Sequence, residues 1–462
     1  MQASATTATI PVADGLPWPE RLQAVLAISS AIVMATLDSA VTNTALPTIA
    51  NDLGAHSADA IWVVNAYQIA MIATLLPLAS LGEVLGHKRV YTAGLVLFTV
   101  TSLACGFAWS LPSLVLARGL QGLGAAAIMS VNSALLRFIY PSRMLGRGVG
   151  LNAMFVAIGF TLGPTVASGI LSVASWHWLF LVNGPTGLLA ILLGLRSLPV
   201  TTRGAHGFDG IAALLCGIFF TALIMGLEGI AHGNSWGLVA AEWVLALVCF
   251  LALIRRQSEH PAPMLAVDLF RRPVFALSAV TAVCSFAAQS LAFVALPFLF
   301  QTALGRSQVE TGFLITPWPV IVAIAAPLAG RLSDRYPAGI LGGCGLVVLA
   351  AGMASLALLP AQASDTDIIL RMLVCGAGFG FFQSPNLRAL LTSAPPGRSG
   401  GASGIVATAR LFGQTSGAAL VALCLTISLD IGPVLALWLG CGFAAVGSVM
   451  SFLRLLPRRQ GS

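Results

Sequence analysis

The sequence predicts an all-α membrane protein: fourteen spanning helices, arranged as two related six-helix bundles with two further helices inserted between them. Three observations predict it. The chain of 462 residues is 57% hydrophobic and only 8% charged, whereas a soluble domain carries about 25% charged residues. It divides into fourteen apolar runs, each near the ~20 residues that a spanning helix needs. Its basic residues fall almost entirely on alternate connections.

The runs are bounded by charge, Pro and Gly. They fall near 22–45, 61–82, 90–109, 112–136, 147–172, 177–196, 208–230, 238–254, 274–301, 310–330, 339–360, 367–392, 400–428 and 432–454. The eighth is the weakest, being short and starting near Glu242. With both termini placed in the cytoplasm, 19 of the 23 Lys and Arg residues lie on inside segments, and only Arg306 and Arg371 on outside ones. Cytoplasmic loops of membrane proteins carry this excess, and a miscounted helix would scramble it. Arg118 and Arg410 lie within spans.

The first and last six runs repeat. Ala45-Leu46-Pro47 recurs as Ala295-Leu296-Pro297, and Pro77 as Pro327. Gly122, Gly124, Ser130 and Asn132 recur as Gly376, Gly378, Ser384 and Asn386; Gly150, Gly159 and Gly163 recur as Gly404, Gly413 and Gly417. The offset drifts only from 250 to 254 residues. Parallel repeats of six helices typify transporters that bind substrate where the repeats meet. The expected organisation is a cytoplasmic tail (1–21), a first bundle (22–200), an inserted pair (208–255) and a second bundle (274–455).

The net charge of +7 comes from singly scattered residues, so no nucleic-acid surface is expected. The eight cysteines lie in apolar runs without a Cys-x-x-Cys pair and read as small core residues, not as disulfides or metal ligands. The first twenty residues lack a basic start and read as a disordered tail, not a signal peptide. No Walker loop, zinc spacing or nucleophile elbow is present. The expectation is therefore a non-enzyme without cofactor, driven by an ion gradient.

Asp38 lies in the first run, and an ionisable residue at membrane depth marks a functional site by default. It sits about 7 residues, roughly 10 Å, from the outer end of that run. Arg118 lies at a matching depth in the fourth run, about 6 residues or roughly 9 Å in. Burial raises a carboxylate's proton affinity and a neighbouring guanidinium lowers it, so such a pair can load and release protons. The alternative is a static ion pair that fixes helix packing. Gln121 and Gly122 follow Arg118 by about one turn, where an amide can hydrogen-bond across helices and a small residue permits close approach. In the fifth run, Gly159, Gly163 and Pro164 suit a bent, tightly packed helix that seals or pivots. Glu83, Lys88 and Arg89 in the second loop, with Asp334 and Arg335 in the tenth, place an acid near bases at a cytoplasmic helix end. They can latch neighbouring helices.

Candidate substrate contacts are the polar and aromatic residues inside runs: Asn43, Trp62, Asn65, Tyr67, Gln68, Asn152, Phe155, Gln289, Phe293, Gln301, Trp318, Phe382, Gln383 and Asn386. Aromatics with one acid suit a lipophilic cation. Arg410 either bonds backbone carbonyls or lines the cavity, where it and Arg118 could receive an anion. Glu228, near the outer end of the first inserted helix, is expected to be solvated.

Leu37-Asp38-Ser39 through Asn43 to Ala45-Leu46-Pro47, Arg118-x-x-Gln121-Gly122, and Gly150-x8-Gly159-x3-Gly163-Pro164 resemble the signatures of the major facilitator superfamily. Within it they resemble the fourteen-spanner drug:proton antiporters of the EmrB/QacA type. The resemblance covers essentially the whole chain. It implies a major facilitator fold, coupling to protons through the first- and fourth-helix motifs, and export through the fifth-helix motif. It also implies a bacterial inner-membrane location, lipophilic small-molecule substrates and a monomer. The sequence departs from the pattern at Ala79 for Gly, Glu83 for Asp, Val84 for a base, and Ala167-Ser168 for the Gly pair after Pro164. The reading is a multidrug efflux antiporter for amphiphilic, cationic compounds. Export of a metabolite such as an amino acid or organic acid, or a non-transporting scaffold, are the alternatives.

Overall fold

The computed structural model describes residues 15–141, 144–201, 207–231, 233–257, 264, 267–333, 335–360, 362–393 and 399–455. Among these residues the regular structure is entirely helical. Fourteen helices are long and apolar enough to cross a membrane. They are α1 Glu20–Asp52, α2 Ala58–Leu85, α3 His87–Gly106, α4 Leu111–Ile139, α5 Leu145–Leu171, α6 Trp178–Ser197, α7 Gly210–Ile230 and α8 Trp236–Gln257. Then follow α9 Pro273–Ala303, α10 Gln308–Leu332, α11 Ala338–Ala357, α12 Asp365–Ser393, α13 Ser399–Ile427 and α14 Gly432–Leu453. Helices are what apolar runs form in lipid, because each helix satisfies its backbone groups internally.

Several helices outrun the apolar segments that announced them. α1 continues through Pro47 to Asp52, and α9 passes Pro297 into a π turn at Leu299–Ala303. A proline removes one backbone donor and bends the helix, and packed neighbours can hold the helix together beyond it. Asp38 therefore stands fourteen residues from the far end of α1 at Asp52, or about 21 Å. That is deeper than the run length suggested.

The repeated glycines set the same contacts in both bundles. A methyl group on Gly122 would lie 2.3 Å from the Tyr67 carbonyl oxygen, and one on Gly376 2.4 Å from that of Trp318. Gly124 meets the Phe98 backbone and Gly378 that of Leu349. Gly159 and Gly163 face Thr36 and Ala40, while Gly413 and Gly417 face Val283 and Ala287. So α4 rests on α2 and α3, and α5 on α1, just as α12 rests on α10 and α11, and α13 on α9. Small residues let membrane helices approach to backbone distance. Gly169 has nothing within 4 Å and seats no contact.

The bundles meet in two places that matter here. At the end away from both termini, Thr165 of α5 and Thr316 of α10 share a 2.8 Å hydroxyl hydrogen bond. Beside it, Ser168 donates to the Gln308 carbonyl at 3.4 Å. The inserted α7 packs on α8, on α2 of the first bundle and on α13 of the second, lying across a seam between them. Of the cysteines expected in the core, Cys344 is exposed, because α11 turns that face away from the other helices.

Candidate functional site

Four helices of the first bundle converge on Asp38. Its side chain has no accessible surface, and that of Arg118 has 1%. The Arg118 Nη1 donates to Asp38 Oδ2 at 2.5 Å and to Gln121 Oε1 at 2.6 Å. Its Nε donates to the Val63 carbonyl on α2 at 3.1 Å. The other Asp38 oxygen accepts from Gln121 Nε2 at 3.0 Å and from Asn183 Nδ2 of α6 at 2.8 Å. Those same two amides both donate to Ser102 Oγ of α3 at 2.8 Å. The guanidinium is roofed by aromatic rings, 4.2 Å from the Tyr67 centroid and 5.6 Å from that of Phe180.

This arrangement compensates a carboxylate in low dielectric with one cation and two neutral amide donors. Such charge-assisted bonds are roughly twice as strong as neutral ones. A change in the charge of Asp38 is felt directly by α4 and α6, and by α3 through the two amides that share Ser102. The pairing of Asp38 with Arg118 and Gln121 follows the sequence reading. The carboxylate faces the interior of the first bundle, where all its side-chain partners lie. Asn183 and Ser102 were missed. Asn183 stood out only as an amide inside an apolar run, and Ser102 had no distinguishing signal.

The glycines of α5 are placed to bring this helix onto α1 within a turn of Asp38, Gly159 at Thr36 and Gly163 at Ala40. Pro164 is buried beside them, and its carbonyl accepts from Ser168. At the opposite end of the bundle, Lys88 donates to the Leu195 and Leu198 carbonyls at 3.0 and 2.6 Å. It thus caps the last turn of α6. Glu83, Arg89 and Arg335 are exposed. Asp334 lies outside the described residues.

The substrate-contact candidates separate into groups. Phe293, Trp318 and Phe382 are buried in the apolar core of the second bundle, where Phe293 and Trp318 pack edge to face at 5.3 Å. Asn386 is tied by its amide to the Ser278 carbonyl at 3.1 Å and by its oxygen to Arg454 Nη1 at 2.8 Å. In this structure these four pack within the second bundle. The bonds of Arg454 to Asn386 and to Ser278 (2.9 Å) compensate its charge.

Other candidates do reach the seam. Gln68 accepts from Thr415 of α13 at 3.2 Å, and Arg410 of α13 reaches Met129 Sδ of α4 at 3.6 Å. Asn152 accepts from Asn132 at 2.9 Å, joining α5 to α4. Asn43, Trp62, Phe155, Gln289, Gln301 and Gln383 are half-buried. Asn65 donates to Glu228 of α7. Glu228 is only 1% exposed, so the expectation of a solvated residue is wrong: α7 turns it onto α2, not into water.

Comparison with known proteins agrees with this architecture. A family profile described as Major Facilitator Superfamily matches residues 28–418. The transporter YebQ of Escherichia coli (strain K12) is 53% identical over 97% of this chain and 98% of its own. The multidrug resistance protein Stp of Mycobacterium tuberculosis is 32% identical over 91% of this chain and 76% of its own. Among solved structures, a D-xylose–proton symporter superposes with a TM-score of 0.70 at 15% identity, covering 96% of this chain and 99% of that one. This last likeness speaks to fold alone. With fourteen apolar helices in a doubled bundle, a family match over most of its length and a relative at 53% identity, the chain belongs to the major facilitator superfamily and is a multi-pass membrane transporter.

Proposed function

We propose that the protein exports amphiphilic compounds from the cytoplasm of a bacterium across its inner membrane, in exchange for protons carried on Asp38. The observation that supports this reading is the closed network around that carboxylate. Asp38 sits on α1, which α5 grips at Gly159 and Gly163 and which also packs on α9 and α10 of the second bundle. A proton on Asp38 cancels the attraction of Arg118 and weakens the acceptor shared by Gln121 and Asn183. The change reaches the helix that joins the two bundles, which is how protonation can bias one arrangement over another. The excess of basic residues on alternate connections supports a reading with both termini inside, in which the Thr165–Thr316 contact closes the outer face. The relative named as a multidrug resistance protein supports export of drug-like molecules.

The test is counterflow in proteoliposomes under an imposed pH gradient, with proton release read by an internal dye and a panel of amphiphilic fluorophores as substrates. Asp38→Asn is expected to abolish proton release while leaving fluorophore binding intact. Transport by Asp38→Asn at the wild-type rate under the gradient would overturn the proposal.

A further inference from the structure

Asp38 had suggested a cationic substrate, but its charge is matched by Arg118 within the first bundle. At the seam the balance is the reverse. Arg410 reaches from α13 across to Met129 of α4, touching only a thioether sulfur there. Its Nε is buried with no hydrogen-bond partner, and among the described residues no carboxylate pairs with it. Tyr67, the ring beneath Arg118, is within electrostatic reach of Asp38, Arg118 and Arg410 together. The neighbour that Arg410 reaches is apolar: Met129 is half-buried and packs against the first bundle's core. A half-buried cation with no counter-charge and an unpartnered Nε is costly, and the thioether on its Nη2 is only a weak acceptor.

Resting on the export reading above, we propose that Arg410 receives the anionic group of the substrate, so that the transported class is amphiphiles bearing a carboxylate or similar acidic group. The apolar part of such a molecule lies against Met129, the half-buried neighbour of the guanidinium. Its acid completes the guanidinium, and a planar fork suits a carboxylate through two parallel bonds. Tyr67 then links the bound anion to the network that holds Asp38, placing substrate and proton within one electrostatic neighbourhood.

The experiment compares two probes of one ring system and opposite charge, acridine-9-carboxylate and 9-aminoacridine. Binding is read by fluorescence on the purified full-length protein in detergent, without any gradient. Wild type is expected to bind the carboxylate more tightly than the amine. Arg410→Gln is expected to weaken the carboxylate tenfold or more, the factor that ~1.4 kcal/mol represents, without weakening the amine. Arg410→Lys keeps the charge and is expected to fall between. Equal affinity of wild type and Arg410→Gln for the carboxylate would overturn the proposal, and so would a loss of both probes in parallel, which marks a packing role. Because no proton gradient enters, failure of the antiport reading leaves these outcomes unchanged.

Discussion

Asn183 donates from α6 to the same Asp38 oxygen that Gln121 reaches from α4, at 2.8 Å. Both amides then close on Ser102, so the proposed proton site is a ring of hydrogen bonds through four helices and not an isolated ion pair. Low dielectric makes each link stronger and each unmade link more damaging.

Removing the cation alone should therefore be worse than removing both charges. Arg118→Ala leaves a fully buried carboxylate with amide donors only, and breaking a buried pair in this way costs about 3–5 kcal/mol. The Asp38→Asn, Arg118→Gln double variant removes both charges and is expected to recover most of that stability, while transport stays lost. Thermal unfolding in detergent measures it. Additive losses in the double variant would mean that the two residues do not act as a pair.

The glycine contacts predict a sharp positional contrast. A Cβ at Gly163 would fall 2.3 Å from the Ala40 Cβ, and one at Gly417 2.6 Å from the Ala287 carbonyl oxygen. Neither neighbour can swing aside. Gly163→Val and Gly417→Val should each destabilise by about 1–3 kcal/mol through overpacking, matching one another across the repeat. Gly169→Val, with open space around it, should unfold near the wild-type temperature. Three equal unfolding temperatures would refute the proposed seating of α5 on α1 and α13 on α9.

What could be read from the sequence follows from what is chemically conspicuous there. Asp38, Arg118 and Gln121 stand out because charge and amide are rare in apolar runs, and the doubled glycines stand out because they recur at one offset. Asn183 is an amide of the same kind and Ser102 is small and neutral, and nothing in an apolar helix says which face it turns inward. Trp318 and Phe382 illustrate the same limit: an aromatic ring lining a cavity and one filling a core have the same sequence. Glu228 was misplaced because the partner of α7 is set by packing against α2, which no local pattern encodes.

That packing makes a prediction of its own. Asn65, fully buried on α2, donates to Glu228 on α7 and so ties the inserted pair to the first bundle. Asn65→Leu removes the donor and should cost about 1–3 kcal/mol, whereas Glu228→Gln keeps the shape and a hydrogen bond and should cost less. Unfolding temperatures rank the two. The reverse order would mean that the carboxylate's charge, and not this bond, secures α7.

Thr165 and Thr316 bring the two bundles together at the face away from the termini, their hydroxyl oxygens 2.8 Å apart. Side chains that meet at their hydroxyls are candidates for a disulfide, which needs the two Cβ atoms about 3.5–4.5 Å apart. In a background where the native cysteines are replaced, Thr165→Cys with Thr316→Cys should cross-link on mild oxidation and hold that face shut. If the bundles must part there for the cycle to turn, transport in proteoliposomes falls to the level of empty vesicles and returns on reduction. A cross-linked protein that still transports at the uncross-linked rate would show that this contact stays closed throughout, and the exit would have to be sought elsewhere along the seam.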